Sequence, residues 1–466
     1  MSKIIIVSVR VANAHQPSTG GLAVAVERLL EQQEVAGVWL GWNGVCVEDQ
    51  ASIELNVEDR GYYRALTFPF TQDQYDQFYC GYANTCLWPA FHYRLDLMNF
   101  LPQAYQQYLQ VNQQIAQYLD QLAEPDDLIW IQDYHLIPLA HFCRERGMRQ
   151  KIGLFLHTPF PCVDILKAVP RHEHWLPMLH AYDQVGLQSK SDHSALLTAM
   201  KIVSSGVKQR ETRFGVYPIG IDVDLVQSMA ESDEADLDAE GPSPHEPAPK
   251  TVISVDRLDY TKGLPQRFRT FSALLERYPD VKEQASYVQI APSSRSDIMC
   301  YQLMQEELES LAGQINGQHA TLNWTPIVYM NRAFPAPSLM KLLRQAQVGF
   351  ISPLRDGMNL VAMEYVAAQD PDDPGVLVLS TFTGAAQCLD SGYLSVNPYD
   401  IDDTAQTLHK ALHMPLAERQ ARHQVLLDQL REQCLGTWYQ TFIRDLTGQP
   451  QPPQPAPAPF TPIRAS

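Results

Sequence analysis

Val348-Gly349-Phe350-Ile351-Ser352-Pro353-Leu354-Arg355-Asp356-Gly357-Met358-Asn359-Leu360-Val361-Ala362-Met363-Glu364-Tyr365 reads as three pieces in succession. Residues 348–352 are apolar enough for a buried strand. Residues 360–368 carry a helical pattern, and between the two lies an irregular turn that contains a glycine. Such a junction gathers free backbone N–H groups at a helix N-terminus, where they can meet an anion or sugar hydroxyls. Asp356 stands at the mouth of the turn, and Glu364 lies about two helical turns further on. A phosphate held between two carboxylates that face hydroxyl groups is the outline of a sugar nucleotide.

The same alternation extends outward in both directions. Short apolar runs at 4–9, 37–42, 128–131, 152–156, 251–255, 287–290 and 376–379 are separated by longer amphipathic stretches, among them 103–122, 136–145, 265–278 and 297–312. Strands without polar alternation, spaced by helices, predict α/β architecture with parallel sheets covered on both faces. The pattern breaks at 229–250, an acidic and then proline-rich stretch with little to bury, and restarts at Thr251. Two Rossmann-like halves are therefore expected, residues 1–228 and 251–447, with 229–250 as linker and a ligand cleft between the strand C-terminal ends. The last helices are allowed to cross back to the first half. Residues 448–466, rich in Pro and Gln, are expected to be disordered or polyproline-like.

Composition narrows the function classes. The chain has 466 residues, 45% of them hydrophobic, and 35 basic against 53 acidic side chains give a net charge of −18. The acidic residues are scattered, so no basic stripe exists for nucleic acid or an anionic membrane. Eight cysteines at 46, 80, 86, 143, 162, 300, 388 and 434 form no Cys-x-x-Cys pair, and they are expected to be reduced. The first residues lack a signal-peptide pattern and no run is long enough to span a bilayer, which predicts a cytoplasmic protein.

Several strand ends carry chemistry. Thr19-Gly20-Gly21-Leu22 precedes a helix, and its glycines allow close approach of a phosphate, although a plain turn explains them equally well. It matches neither the dinucleotide fingerprint nor a Walker loop. Asp256-Arg257-Leu258-Asp259-Tyr260-Thr261-Lys262-Gly263 places two cations five residues apart in a turn, which suits a diphosphate leaving group. Pro292 to Asp297 offers hydroxyls, a helix cap and Arg295. Asp133 and His157 each end a strand of the first half. A metal held by Asp133, His135 and His157 would need a geometry that spacing does not show, so no metal and no cofactor are expected. Of the aromatics between Tyr75 and Tyr93, one or two are expected to face a ligand and the rest to be core.

Taken in order, these motifs resemble the retaining family-20 glycosyltransferases of the trehalose-6-phosphate synthase type, from about residue 3 to about residue 445. The stretches that carry the resemblance are Ser8-Val9-Arg10, Thr19 to Leu22, Trp39-Leu40-Gly41-Trp42, Leu87 to Arg94, Asp133 to Leu136, His157 to Pro161, Tyr217 to Ile221, Arg257 to Gly263, and 353–365. The family implies the GT-B fold and transfer of glucose from a nucleotide sugar, usually UDP-glucose, to glucose 6-phosphate. On that resemblance Arg257 and Lys262 would bind the donor diphosphate. Asp356, with the backbone at Gly357, Met358, Asn359, Leu360 and Val361, would hold the donor glucose and phosphate, and Glu364 the ribose. Gly21 would face the phosphates, while Asp133 and His157 would contact donor sugar hydroxyls. Arg10, Tyr79, Trp88 and Arg295, and more weakly Trp42, would form the acceptor site.

The resemblance implies small-molecule substrates and leaves a homo-oligomer open. Three positions depart from the family pattern: Val9 where Asn is usual, Gln132 where His is usual, and Met363 where Lys is usual. They keep open a different donor nucleotide (GDP- or ADP-glucose) or an acceptor such as glycerol 3-phosphate. A non-catalytic regulatory homologue is the remaining alternative, and the intact set of charged residues counts against it.

Overall fold

A computed structural model of the chain describes residues 3–12, 21–32, 37–49, 53–203, 210–232, 249–295, 297–389 and 391–449. Two parallel sheets organise it. In the first, β1 (Ile4–Arg10) is central, with β2 (Gly37–Val47), β3 (Asn56–Asp59) and β4 (Tyr63–Thr71) on one side. On the other side lie β5 (Leu128–Gln132), β6 (Lys151–Leu156), β7 (Gln184–Leu187) and β8 (Arg213–Val216). The strand order is β3-β4-β2-β1-β5-β6-β7-β8, and only the β3–β4 pair is antiparallel. The second sheet comprises β9 (Lys250–Val255), β10 (Ala285–Ile290), β11 (Ile327–Met330), β12 (Val348–Ile351), β13 (Val376–Ser380) and β14 (Leu394–Val396), in the order β11-β10-β9-β12-β13-β14.

Uniformly apolar strands fold this way because both faces are covered by helices. The first five residues of β1 and all four of β12 are buried. In each sheet the order reverses beside the first strand, between β1 and β5 and between β9 and β12. At such switch points the loops leaving adjacent strands diverge and open a crevice at the strand C-terminal ends. Arg10 and Asp133 leave the first crevice, and Arg257 and Asp356 leave the second.

Element boundaries differ from the sequence expectations in physically simple ways. The helix expected at 297–312 runs from Met299 to His319, and the one expected at 136–145 is split into a tight turn, Tyr134–Leu136, and a helix, Leu139–Glu145. Pro138 lacks an N–H and sits where that helix can start. The expected linker loses both its ends to regular structure, since helix Val223–Glu231 covers 229–231 and β9 begins at Lys250. Its middle, the proline-rich tail beyond 449, and Thr19-Gly20 lie outside the described residues. Residues 75–87 are wound as a π-helix, a wider coil that is found most often at functional sites.

The final helix, Leu435–Thr447, packs on the first sheet rather than the second. Phe442 is fully buried against β6 and β7, in a slot made by Gly153 and Gly186. A Cβ on either glycine would stand 2.8 Å from the Phe442 ring. Trp130 flanks it, 4.8 Å from both the Phe442 and Trp438 rings, and Gln184 donates to the Phe442 carbonyl at 2.9 Å. Phe442→Ala should lower stability by about 3–5 kcal/mol in urea unfolding. A loss below about 1 kcal/mol would show that the helix is not part of this core.

Candidate active site

The turn after β12 is held from several sides. Leu354 N–H donates to the Thr261 carbonyl at 2.8 Å, Asp356 N–H to the Phe382 carbonyl at 3.0 Å, and Ala385 N–H to the Met358 carbonyl at 2.9 Å. Asn359 takes a left-handed conformation (φ 79°), which Asn tolerates better than most residues, and its side chain caps helix Leu360–Ala368 by accepting from Ala362 N–H at 3.2 Å. The N–H groups of Leu360 and Val361 have no acceptor within their own helix and remain for a ligand. Met358 offers only its main chain, because its side chain is in the core.

Asp356 is the hub of this turn. Its carboxylate pairs with Lys262 and accepts from Asn359 Nδ2 and Gly357 N–H, each at 3.0 Å. Burial is the largest influence and would raise its pKa, but the Lys262 ammonium, His92 and the Asn359 hydrogen bond together hold it below the usual carboxylate range. Lys262 is aimed by the tight turn Tyr260–Lys262, which Asp259 caps and Gly263 ends at φ 70°.

A second charged group lies beside the first. Arg295 donates to the Tyr301 hydroxyl at 2.6 Å and pairs with buried Asp259 at 3.4 Å. Burial pushes Asp259 up, and Arg295 and Arg257, with the Thr261 N–H and His92, bring it below its ordinary value. Arg257 makes no hydrogen bond or ion pair among the described residues. Both guanidiniums face Trp88 of the first half, at 4.1 Å for Arg295 and 6.0 Å for Arg257.

The first half supplies the opposite wall. Asp133 holds a left-handed φ of 71° at the end of β5, and its Oδ1 accepts from His157 N–H at 3.2 Å and Thr158 N–H at 3.4 Å. Desolvation still raises its pKa to about 6. His157 Nε2 contacts the Gln132 side-chain oxygen at 2.9 Å, which places the ring proton on Nε2 and leaves Nδ1 as an acceptor. Burial depresses the His157 pKa to about 3, so the ring is neutral at physiological pH. Tyr79 lies stacked between Tyr75 (5.6 Å) and His135 (5.7 Å). Arg10 is exposed at the end of β1 and lies 5.7 Å from the Trp42 ring.

The halves touch around these residues. A Cβ on Gly357 would fall 1.8 Å from the His157 carbonyl oxygen, so residue 357 has no room for a side chain. Arg355 crosses to donate to the carbonyls of Phe91 at 3.1 Å and Phe160 at 3.0 Å, and it covers the Tyr93 ring at 4.0 Å. Tyr75 donates to Asp297 at 2.6 Å.

Arg257, Lys262, Asp356, Arg295 and Trp88 thus form one connected group, and Asp133 and His157 meet it through Gly357. Trp42 is largely core: it stacks on Phe70 at 4.9 Å and spends its indole N–H on the Val45 carbonyl at 2.7 Å. Gly21 opens helix Gly21–Gln32. The set Asp133, His135 and His157 does not form a ligand group, since the His135 ring stacks on Tyr79 and packs tilted against Tyr134 while His157 Nε2 is engaged by Gln132.

Met363, where the family has Lys, is buried in the apolar core around the second sheet. Missed altogether were Asp259 and Tyr301, which hold Arg295, the clasp Arg355, and His92. His92 lies within electrostatic reach of Asp259, Asp356 and Lys262, donates its Nδ1–H to the Trp88 carbonyl at 2.8 Å, and is pushed down to about 4 by burial. Its place at the end of the helical Trp88-Pro89-Ala90-Phe91 segment was the one sequence signal available.

Two facing Rossmann-like sheets with a cleft lined by cations and carboxylates define a GT-B glycosyltransferase. The family model for glycosyltransferase family 20 matches residues 7–448, and the chain belongs to that family. It is 44% identical over 464 residues to a trehalose-6-phosphate synthase of Sodalis glossinidius, with 96% of each sequence covered. Among solved structures it is similar to a UDP-forming alpha,alpha-trehalose-phosphate synthase from Burkholderia xenovorans in complex with glucose-6-phosphate. That match has 43% identity and a TM-score of 0.89, covering 96% of this chain and 100% of the other. The E. coli enzyme bound with UDP-2-fluoro glucose gives 42% identity and a TM-score of 0.86, covering 96% and 99%.

Glu364 is half-buried, and desolvation raises its pKa to about 7 from the usual 4.5. Between those values the folded state keeps a proton that the unfolded chain has released, so this group lowers stability as pH rises through that window. Glu364→Gln should therefore stabilise the ligand-free protein at pH 8 by about 1–2 kcal/mol and leave it unchanged at pH 4. Equal urea midpoints at both pH values would contradict the shift.

Proposed function

We propose that this chain transfers glucose from UDP-glucose to glucose 6-phosphate with retention at the anomeric carbon, giving trehalose 6-phosphate and UDP. The observation that carries the reading is Trp88, approached from across the cleft by both Arg257 and Arg295 at 6.0 and 4.1 Å. One aromatic ring thereby adjoins a cation assigned to the donor and a cation assigned to the acceptor. Bond breaking needs both substrates at one point.

Arg257 and Lys262 receive the charge that develops on the departing diphosphate. They supply what a divalent ion supplies in other phosphate sites. Asp356 and the N–H groups from Gly357 to Val361 hold donor glucose and phosphate, and Glu364 accepts from the ribose. Gly21 lies along the phosphates. Asp133, fixed by two backbone N–H groups, and neutral His157 orient the sugar hydroxyls. Asp356 has its oxygens occupied by Lys262, Asn359 and Gly357. That is a poor arrangement for a nucleophile and favours attack by the acceptor hydroxyl on the face the diphosphate leaves, with the proton passing to the leaving phosphate oxygen. Arg10, Tyr79 and Arg295, with the edge of Trp42, bind the acceptor.

The donor and acceptor named for the solved relatives support this pair over GDP- or ADP-glucose and glycerol 3-phosphate. Among the described residues no helix is long and apolar enough to cross a membrane, and all eight cysteines are unpaired. Both facts support a place in the reducing cytoplasm.

Offering UDP-, GDP- and ADP-glucose with each acceptor and measuring the nucleoside diphosphate released tests the reading. UDP release dependent on glucose 6-phosphate is expected, and release from no pair would overturn it. Arg257→Ala and Lys262→Ala should each lower kcat about a hundredfold or more. Unchanged turnover would remove that residue from the diphosphate site. Arg295→Lys keeps a charge beside Asp259 but loses the planar fork. It should raise KM for glucose 6-phosphate about tenfold while sparing KM for the donor, and an equal rise in both would remove its acceptor role.

A further inference from the structure

A group of ligand-type side chains lies at the opposite end of the second sheet from the cleft. Asp280 sits in the tight turn Pro279–Val281 ahead of β10, on the side where the strands begin. His409 and His413 stand one turn apart at the end of helix Ile401–Leu412, which returns from β14 to that same side. The Asp280 Oδ2 atom is 3.1 Å from His409 Nε2 and 3.3 Å from His413 Nε2, and all three atoms lie within 4.8 Å of one another.

These separations suit a particular occupant. Ligands about 2.0–2.1 Å from a tetrahedral zinc ion stand roughly 3.3 Å from one another. Both measured edges fall close to that value. The supporting contacts point the same way. His413 Nδ1 donates its N–H to the His409 carbonyl at 2.9 Å, which fixes the ring with Nε2 turned toward Asp280. His409 is held by Tyr278, whose ring stacks on it at 4.0 Å and 17°. Asp280 and His413 are exposed, so an ion can enter from solvent.

We propose that Asp280, His409 and His413 form a binding site for a divalent zinc-class ion, with water completing its coordination. The ion clips the turn before β10 to the end of the helix after β14, two segments 129 residues apart in sequence. The site is separate from the transferase cleft and does not depend on the function proposed above.

The test uses the full-length protein stripped with a chelator and titrated with ZnCl2 by calorimetry, and with CoCl2 by visible absorption. One ion per chain and the intense visible bands of tetrahedral Co2+ are expected. His413→Ala, His409→Ala and the milder Asp280→Asn should each weaken binding about tenfold or more, with turnover unchanged. No saturable binding, or binding unaltered in all three variants, would overturn the proposal. So would binding that is abolished by alkylating the thiols, because the ion would then sit on cysteine.

Discussion

The structure depends on a contact between two stretches of main chain. The backbone at Gly357 lies against the carbonyl of His157, and no side chain fits between them. That approach brings the turn after β12 up to the loop after β6, so the group around Asp356 and the wall built by Asp133 become one surface. Arg355, two residues earlier, fastens the same turn to two carbonyls of the first half. The charged residues of the cleft therefore inherit their relative positions from the meeting of two backbones.

Once the walls meet, the charges between them lose water and must satisfy one another. Asp356 leans on Lys262, and Asp259 on Arg295 and Arg257, each carboxylate kept ionised against the pull of burial by its cation. Asp133 has backbone donors but no adjacent cation, and burial prevails there. His92 and His157 respond in the other sense and stay neutral. The cleft therefore holds cations that can turn toward a diphosphate, carboxylates that can accept from hydroxyls, and uncharged imidazoles.

Much of this was legible in the sequence, because a parallel strand buried on both faces writes itself as a continuous apolar run. Ile4 to Val9 and Val348 to Ile351 were found that way, and the strand ends then pointed to Arg10, Asp133, Arg257 and Asp356. Contacts between distant segments leave no such trace. Nothing local marks Arg355 as a clasp, Asp259 as the partner of Arg295, or residues 409 and 413 as neighbours of 280. Adjacency in sequence says nothing of direction on a helix: Glu364 is rotated about 100° from Met363 and stays partly exposed, while Met363 enters the core.

The placement of helix Leu435–Thr447 has a consequence for how the protein comes into being. The first sheet is built from residues 4–216, yet the slot between Gly153 and Gly186 is filled by Phe442, which follows the whole second sheet in the chain. Trp130 and Phe155 rest on that same helix. During translation this face of the first sheet stays uncovered by that helix until the strands of the second sheet have been made. The early half is thus a folding unit in topology only, and its exposed face is where a chaperone would have work to do.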